Sequence, residues 1–338
     1  DGWATNALRC ADPNRRNPKT AVADCRPHLI RTIDELRPNA VVLLGGAALQ
    51  SLVGAAWKPD VGPLGRWTGR LIPCQKPNAW VAPLWNPAWL CREECDPVTR
   101  LQFREGLAAA LAAAESPPWP AGPPDYRAAV RVEPAPAAAA EWLAGIRAGA
   151  IAFDYETTTL KPDAAHSEIV CCAVSHPEAG TLAFPWHGPA VPEMRRLLAD
   201  PAVGKVASNL DMEARHTEAR LGLRVRGWAW DTMLAAHCLD PRPGGRERDD
   251  GTVLGSGSTG LKFQAFVKLG QSDYSSHLED HLRPQGEDSS NARNRVREIP
   301  FGTLALYCGL DALLELLVAE QQADEMGTPL WPEKFGGP

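Results

Sequence analysis

The sequence lacks a long hydrophobic run and a cysteine-dense pattern. No apolar run approaches the roughly 20 residues that span a bilayer, so we expect no membrane-spanning segment. The nine cysteines are not crowded as in small secreted domains, and no signal peptide is evident. Together these absences indicate a cytoplasmic protein in a reducing compartment.

Basic residues are not in excess either, because the formal net charge is −6 at pH 7. This balance excludes a uniformly basic coat for nucleic acid. Residues 1–125 hold 14 Lys and Arg against 12 Asp and Glu, whereas residues 126–338 hold 21 against 29. Any contact with DNA would therefore be local, and the candidates for neutralising phosphates are Arg66, Arg70, Arg293, Arg295 and Arg297.

The chain of 338 residues, 44% of them hydrophobic, is long enough for two domains. Apolar periodicity predicts an α/β first half, with helices over 27–36, 47–53 and 97–114 and strands over 40–44 and 80–84. Residues 115–124 are rich in proline and predict an extended linker. We therefore place a first domain at 1–114 and a second at 125–330, which opens with a strand over 126–132 and a helix over 137–146.

Two carboxylates directly follow a short apolar run in the second half. Asp154 and Glu156 are two residues apart, so in a strand their side chains point to the same face. Like charges this close are usually held by a positive partner, most often a hard divalent cation with oxygen ligands. The spacing therefore predicts a metal site, and the alternative is an exposed strand face with two solvated acids.

Two further segments offer residues of the same kind. One has apolar positions that recur with helical period, and it carries Tyr307 and Asp311 one turn apart on one face. The other is a short strand that runs into a helix and carries Asn209, Asp211 and Glu213. A site that combines these segments would gather acids from distant parts of the chain.

These segments resemble the three motifs of the DEDDy 3′–5′ exonucleases, in particular the proofreading domain of family A DNA polymerases. The resemblance covers about residues 125–325 and implies an RNase H-like mixed sheet flanked by helices. It also implies two divalent ions, Mg²⁺ or Mn²⁺. In this chemistry one ion generates the attacking hydroxide, and the other stabilises the leaving 3′ oxygen.

The resemblance assigns roles to individual residues. The implied metal ligands are Asp154, Glu156, Glu213 and Asp311, and Tyr307 is implied to position the attacking water. The family has an aspartate where this chain has Glu213, and Asp211 is an alternative out of register. The other implied residues are Thr157, Thr158 and Leu160 at the terminal nucleotide, and Asn209 and Asp231 in support of the site.

Four short segments of the first half, at 5–10, 25–27, 36–46 and 86–90, resemble the C-terminal part of the iron–sulfur family four uracil-DNA glycosylases. In that family the cysteines matching Cys10 and Cys25 ligate a [4Fe–4S] cluster together with two cysteines from upstream. We therefore expect further sequence before the first residue. Either that sequence, or one of Cys74, Cys91 and Cys95, must complete the cluster ligands.

The catalytic loop of that glycosylase family has a histidine before Pro-Ala, where this chain has Asn86. Asparagine donates hydrogen bonds but cannot become cationic. We therefore interpret the first half as a glycosylase-like DNA-binding module that has lost base excision, with Trp85 and Trp89 available to meet DNA. Core packing is the alternative role for the two tryptophans.

The leading hypothesis is a metal-dependent 3′–5′ DNA exonuclease that acts on single strands or frayed 3′ ends and carries this module. Such a fusion suggests replication or repair in a phage or mobile element, in the cytoplasm of a bacterial host and beside a polymerase. Two alternatives stay open. They are a catalytically inactive DNA-binding or scaffold protein, and an active uracil-DNA glycosylase with an accessory nuclease domain.

Overall fold

The computed structural model describes residues 2–9, 18–93, 95–164, 166–242, 246–247, 253–254, 257–284 and 292–331. The chain forms two compact units, each with its own sheet. The first unit comprises Asp1–Pro124, Arg242–Ser258 and Lys262–Asp273, and the second comprises Asp125–Pro241, Thr259–Leu261 and Tyr274–Pro338. The predicted division at the proline-rich stretch stays a prediction.

The first unit is built around a three-stranded sheet in the order β1-β3-β2. Its elements before the linker are α1 (Pro18–Leu36), β1 (Ala40–Leu44), α2 (Gly46–Ala56), β2 (Ile72–Cys74), β3 (Ala79–Leu84), α3 (Pro87–Leu90) and α4 (Pro97–Ala113). β3 pairs parallel with β1 and antiparallel with β2. Because parallel strands end at the same edge, the residues that follow β1 and β3, Gly45 and Asn86, meet there.

The second unit is built around a six-stranded mixed sheet in the order β4-β7-β6-β5-β8-β9. Its strands are β4 (Val130–Val132), β5 (Ala150–Thr157), β6 (Ile169–His176), β7 (Gly180–Pro185), β8 (Gly204–Ala207) and β9 (Trp228–Asp231). The helices up to β9 and just after it are α5 (Pro136–Gly145), α6 (Ala190–Ala199), α7 (Asp211–Leu221) and α8 (Thr232–Leu239). Three elements that follow in the sequence belong wholly or mainly to the first unit: β10 (Arg246–Glu247), β11 (Val253–Leu254) and α9 (Leu261–Leu269). The last helices of the second unit are α10 (Glu279–Leu282) and α11 (Phe301–Glu325).

Strand β5 is central in this sheet and separates two layers of side chains. Phe153 and Tyr155 pack into the cluster that includes residues of α5 and α6. Ala150 and Ala152 point the other way and pack against residues of α11. Because side chains alternate along a strand, the next residues on the α11 side are Asp154 and then Glu156. The first predicted motif therefore lies between the sheet and α11.

Helix α11 lies close against the sheet because its contact residues are small. A Cβ atom on Gly309 would lie 2.3 Å from Val130 Cγ1, so no larger residue fits there. Further along the helix, Gln322 accepts a 3.0 Å hydrogen bond from Trp230 Nε1 and donates a 2.9 Å hydrogen bond to the Thr232 carbonyl. The helix is thereby held near both its middle and its end.

By length and composition, α11 could also cross a bilayer, since its most apolar window has a mean hydropathy of 1.7. The expectation that no apolar run is this long was therefore wrong. However, 61% of that window is buried inside the protein. A core helix of a globular protein has the same composition, because every side of it contacts apolar neighbours.

Helix α9 packs in the first unit, although its position in the sequence assigns it to the second domain. Phe266 stacks on Trp57 with ring centroids 5.7 Å apart, and Phe263 meets Trp67 edge to face at 4.9 Å. The four aromatic rings form part of one buried cluster of the first unit. Helical periodicity predicts that a helix forms here but carries no information about the core that it joins.

Candidate active site

The two acids of β5 share one face, as the spacing predicts, and are closed in by α11. Glu156 is buried, with 7% of its surface exposed, and Asp154 is partly buried. Their carboxylate oxygens and the Cys308 sulfur all lie within 4.8 Å of one another. Asp311, on the same helix as Cys308, is also buried at 6% exposure. The structure therefore brings the first and third motifs together.

The hydroxyl of Tyr307 belongs to this group of acids. Burial raises the pKa of Tyr307 well above its usual value of 10, and the charges of Asp311 and Glu156 raise it further. The phenol therefore stays neutral at physiological pH. A neutral phenol can donate its O–H to a water or to a phosphate oxygen, and this is the role that the sequence predicts for Tyr307.

The middle motif offers two acids, and the structure places only one of them inward. Glu213 is 5% exposed, and its Oε2 has no hydrogen-bond partner among the described residues. Burial raises the pKa of Glu213 well above its usual value, with Asp154 the strongest charged contributor. Asp211 is 65% exposed on its side chain and pairs with Arg215 at 2.9 Å. The geometry favours Glu213 as the middle ligand.

Asp231 supports the middle motif through backbone hydrogen bonds. Its Oδ1 accepts from the amides of Met233 at 2.8 Å and Leu234 at 3.1 Å, and so caps α8. The same carboxylate accepts from Asn209 N at 3.3 Å and Leu210 N at 3.0 Å. Asn209 needs this support because its φ of 67° lies in the left-handed region. One carboxylate thus fixes the turn that leads into Glu213.

A divalent cation fits the donor set. Glu156, Glu213 and Asp311 are buried, and one oxygen of Glu213 lacks a partner among the described residues. A buried carboxylate oxygen without a partner is costly unless a cation or a proton neutralises the group. Hard ions such as Mg²⁺ and Mn²⁺ prefer oxygen ligands of this kind. The residues that could hold them are Asp154, Glu156, Glu213 and Asp311.

The three residues predicted to contact the substrate, at the end of β5 and in the loop after it, differ in their exposure to solvent. The Thr157 hydroxyl donates to the Thr159 carbonyl at 2.9 Å, and the Thr158 hydroxyl donates to the His166 carbonyl at 2.9 Å. Both threonines are buried, so their side chains hold the loop in shape. Leu160 is 54% exposed. Contact of the three residues with a nucleotide stays a prediction, and the exposure of Leu160 favours it only for that residue.

Tyr274 is a buried residue of the site that the sequence did not predict. Its hydroxyl donates a short hydrogen bond to Asp311 Oδ1, and its ring centroid lies 5.9 Å from that of Tyr307. Burial and the charge of Asp311 raise the pKa of Tyr274 well above its usual value, so it remains a donor. The hydrogen bond orients the Asp311 carboxylate. No local pattern around Tyr274 signals this role, because the residue lies in a loop far along the chain from Tyr307.

Replacing Tyr274 with phenylalanine is expected to lower the affinity for Mg²⁺, or the nuclease rate, by about 10- to 100-fold, as is typical when a group that orients a metal ligand is removed. The control is Tyr155→Phe. The Tyr155 hydroxyl contacts the Thr217 hydroxyl at 3.2 Å on the other face of β5. The rate should be measured as a function of Mg²⁺ concentration. Equal metal dependence in the two variants would contradict the role of Tyr274.

His216 on α7 is a second buried polar residue that the sequence did not single out. It is 1% exposed, and neither ring nitrogen has a hydrogen-bond partner of good geometry among the described residues. Burial lowers the pKa of His216 below its usual 6.5, and the nearby Leu160 backbone opposes this only in part. The imidazole is therefore neutral at physiological pH.

Because the folded protein disfavours protonated His216, its stability should fall as pH drops below the usual histidine pKa, where the unfolded chain takes up the proton. His216→Leu should remove this part of the pH dependence. We expect the variant to gain stability relative to the wild type as pH falls from about 7 to about 5. Urea unfolding of both proteins across this range is the measurement, and parallel curves would contradict the expectation.

The iron–sulfur prediction for the first unit stays a prediction. Cys10 lies outside the described residues, and Cys25 is buried in α1 with 1% exposure. Cys74 is likewise buried, and burial raises its pKa to about 11. Among the described residues, the only group of three or more metal-binding side chains is the one that contains Asp154 and Glu156.

Asn86 lies two residues after the end of β3 and caps the short helix α3, since its Oδ1 accepts from Ala88 N at 2.9 Å. Trp85 and Trp89 are partly exposed and stack on each other with centroids 6.2 Å apart. Arg92 lies over the Trp89 ring at 5.0 Å. The tryptophans are therefore not core residues, and the loop presents an aromatic and basic surface.

All five arginines proposed for phosphate contact have protein partners, and Arg295 donates to the Asp280 carbonyl at 3.0 Å. Arg66 and Arg70 lie over the Phe263 ring at 4.0 and 5.1 Å. Arg297 pairs with Glu168, and Arg293 lies 4.0 Å from the same carboxylate. Their main structural contacts are thus internal, and phosphate contact stays a prediction.

Family comparisons bear out both resemblances. Residues 131–320, more than half of the chain, match a 3′-5′ exonuclease family, and residues 3–110 match the uracil DNA glycosylase superfamily. A type-4 uracil-DNA glycosylase of Archaeoglobus fulgidus is 41% identical over 51 residues, which are 15% of this chain and 26% of that protein. The chain thus covers about a quarter of the length of that relative.

Solved nucleases are among the structures that are similar to this chain, at low identity. Escherichia coli RNase D, an exoribonuclease involved in structured RNA processing, has a TM-score of 0.41 at 14% identity over 59% of this chain and 45% of its own. Brucella melitensis NrnC has a TM-score of 0.38 at 16% identity over 59% and 81%. The predicted α/β class, with a glycosylase-like domain before an RNase H-like exonuclease domain, is confirmed. The chain belongs to the 3′-5′ exonuclease family and carries a domain of the uracil DNA glycosylase superfamily ahead of the exonuclease domain.

Proposed function

We propose that the protein is a metal-dependent 3′–5′ exodeoxyribonuclease that removes nucleotides from single-stranded or frayed 3′ ends. The observation that carries the proposal is the pair Asp154 and Glu156 on one face of β5, with an oxygen of each close to the Cys308 sulfur of α11. Asp311 is buried on the same helix, and one oxygen of Glu213 is buried and lacks a hydrogen-bond partner among the described residues. Buried acids in this arrangement do not stabilise the fold by themselves. A site for divalent cations explains why they are there.

The protein groups then have distinct tasks. The acids hold the ions, which when bound supply a nucleophilic hydroxide and neutralise charge on the phosphate. Tyr307, kept neutral by its surroundings, donates its O–H to orient the attacking water. Tyr274 fixes the Asp311 carboxylate, and Asp231 fixes the turn before Glu213. Leu160 is exposed where it can pack against the terminal base.

DNA is proposed as the substrate because the same chain carries a domain of the uracil DNA glycosylase superfamily. A module of that kind would keep the protein on DNA and raise the local concentration of 3′ ends. The stacked pair Trp85 and Trp89, with Arg92 over it, offers a surface on which an unpaired base can stack. We propose a role in replication or repair, including one in a phage, because the chain combines an exonuclease domain with a glycosylase-like domain.

The experiment compares 3′-labelled and 5′-labelled single strands of DNA and RNA with Mg²⁺, with Mn²⁺ and with EDTA. We expect release of labelled mononucleotides from the 3′ end of DNA, loss of the reaction in EDTA, and slower cleavage of RNA. Asp154→Asn should be inactive on every substrate. Attack from the 5′ end, or equal activity in Asp154→Asn, would contradict the exonuclease assignment. Faster cleavage of RNA would contradict the choice of DNA alone.

For the first unit we propose binding without base excision. The Asn86 side-chain oxygen is engaged in capping α3, and an amide cannot supply the positive charge that a histidine supplies. We expect no release of free uracil from uracil-containing DNA, and weaker DNA binding when Trp89 is replaced by alanine. Release of uracil by the Asp154→Asn protein would instead favour an active glycosylase.

A further inference from the structure

Cys308 lies directly beneath the two carboxylates of β5. It follows Tyr307 on α11 and is fully buried, at 0% exposure. Its Sγ donates to the Asp154 carbonyl at 3.4 Å. The same sulfur lies within 4.8 Å of a carboxylate oxygen of Asp154 and of Glu156. A thiol is therefore part of the inner wall of the acidic centre.

A thiol is not a typical ligand in a site that binds only hard ions. Mg²⁺ prefers oxygen ligands at fixed octahedral positions, whereas thiolates select softer ions such as Zn²⁺ and Cd²⁺. Of these ions, Zn²⁺ binds sulfur at about 2.3 Å and oxygen at about 2.0 to 2.2 Å. Ligand atoms on one such ion are then separated by about 3.3 to 4.4 Å. The Cys308 sulfur and one oxygen each of Asp154 and Glu156 all lie within 4.8 Å of one another, close to this separation.

A second observation indicates that this cluster has an ionic ligand. Glu213 is 5% exposed, and its Oε2 has no hydrogen-bond partner among the described residues. Asp154 is the strongest charged contributor to the raised pKa of Glu213, so the Glu213 carboxyl lies near the cluster that contains Cys308. A cation bound by this cluster would give the buried Glu213 oxygen a partner.

We propose that Cys308 makes this centre a site for a thiophilic divalent ion, with the Cys308 sulfur, Asp154 and Glu156 as ligands, and that such an ion competes there with Mg²⁺. On binding, the S–H bond breaks, an S–metal bond forms and one proton passes to water, with no change of oxidation state. Competition with a catalytic Mg²⁺ rests on the proposed exonuclease function. Binding of the ion through sulfur does not.

The probe is Cd²⁺, whose bond to a thiolate gives an ultraviolet charge-transfer band. The wild type, Cys308→Ala, Cys308→Ser and the control Cys172→Ala should each be titrated with Cd²⁺, with and without excess Mg²⁺. Cys172 is the matched control because it is equally buried and adjacent to Cys171, yet packs on the opposite face of the sheet. Melting in EDTA shows whether each variant is folded.

We expect a band in the wild type and in Cys172→Ala that excess Mg²⁺ suppresses. Both Cys308 variants should lack this component. Their ratio of Cd²⁺ affinity to Mg²⁺ affinity should fall at least about tenfold, because loss of even an outer partner of a metal ligand typically costs about 10- to 100-fold. Identical titrations of Cys308→Ala and Cys172→Ala would overturn the proposal.

If the variants do not fold, X-ray absorption of the wild type at less than one equivalent of Cd²⁺ shows whether sulfur is among the atoms bound to the ion. A sulfur neighbour that disappears with excess Mg²⁺ supports the proposal, and a shell of oxygen and nitrogen alone overturns it. A protein that binds Cd²⁺ in this way but shows no nuclease activity would refute the exonuclease function and leave the sulfur site standing.

Discussion

Replacing Glu213 with glutamine is expected to reduce the nuclease rate by at least about a thousandfold and, at the same time, to stabilise the metal-free protein. The loss corresponds to about 4 kcal/mol of transition-state stabilisation, which is reasonable for one ligand of a catalytic ion pair. The gain arises because the amide carries no charge into a buried position beside Asp154. We expect it to be about 1 to 3 kcal/mol in EDTA at neutral pH.

The pH dependence gives this prediction a second test. The folded pKa of Glu213 is raised, so its carboxyl stabilises the fold while protonated and loses that contribution as pH rises through the folded pKa. The advantage of glutamine should therefore vanish below the ordinary glutamate pKa of 4.5. The measurements are urea unfolding in EDTA at several pH values and single-turnover rates with Mg²⁺.

Asp211→Asn is the matched control, because Asp211 lies in the same turn but is exposed and paired with Arg215. It should change the rate less than about twofold, since exposed ion pairs of this kind contribute little. If Asp211→Asn is inactive and Glu213→Gln is active, the middle ligand is the residue out of register and the assignment made here is wrong.

Replacing Asp231 with alanine should lower the free energy of unfolding by about 2 to 4 kcal/mol, because a helix cap and further charge-assisted backbone hydrogen bonds are lost together. Four amides would lose their acceptor, at Met233, Leu234, Asn209 and Leu210. Activity should fall as well, since Glu213 would lose the turn that positions it.

Asp231→Asn separates the two consequences. Its remaining oxygen can still accept from Met233 and Leu234 and so keep the α8 cap, whereas its amide nitrogen cannot accept from Leu210 N. We expect the free energy of unfolding of Asp231→Asn to lie between that of Asp231→Ala and that of the wild type. Its activity should be closer to that of Asp231→Ala. Urea unfolding and Mg²⁺-dependent rates measure the two properties. Wild-type activity in Asp231→Ala would show that the turn holds its shape unaided.

The parts of the site that could be predicted from the sequence are those encoded by local periodicity. Alternation in β5 predicts that Asp154 and Glu156 share a face, and the one-turn spacing in α11 does the same for Tyr307 and Asp311. Burial separates Glu213 from Asp211, which spacing alone could not do. In each case the signal lies within a few residues of the side chain concerned.

The features that sequence reasoning missed depend on contacts between distant segments. Tyr274 reaches Asp311 from a loop, and Cys308 has the appearance of an ordinary apolar residue of a helix. Strand β2 has only three residues and exists through pairing with β3. Helix α1 begins at Pro18 and contains Pro27, although a proline usually marks the first turn. Tertiary packing therefore determines the contact of Tyr274, the surroundings of Cys308, the existence of β2 and the extent of α1.

Because α9 packs in the first unit, the two halves of the chain cannot be separated cleanly at the proline-rich stretch. A gene fragment that stops within residues 115–124 would encode Trp57 and Trp67 without Phe263 and Phe266, which pack against them. Such a fragment would expose a large aromatic surface and tend to aggregate. Neither truncation nor recombination at the proline-rich stretch yields the glycosylase-like half intact. Loss of one half during evolution would therefore tend to damage the other.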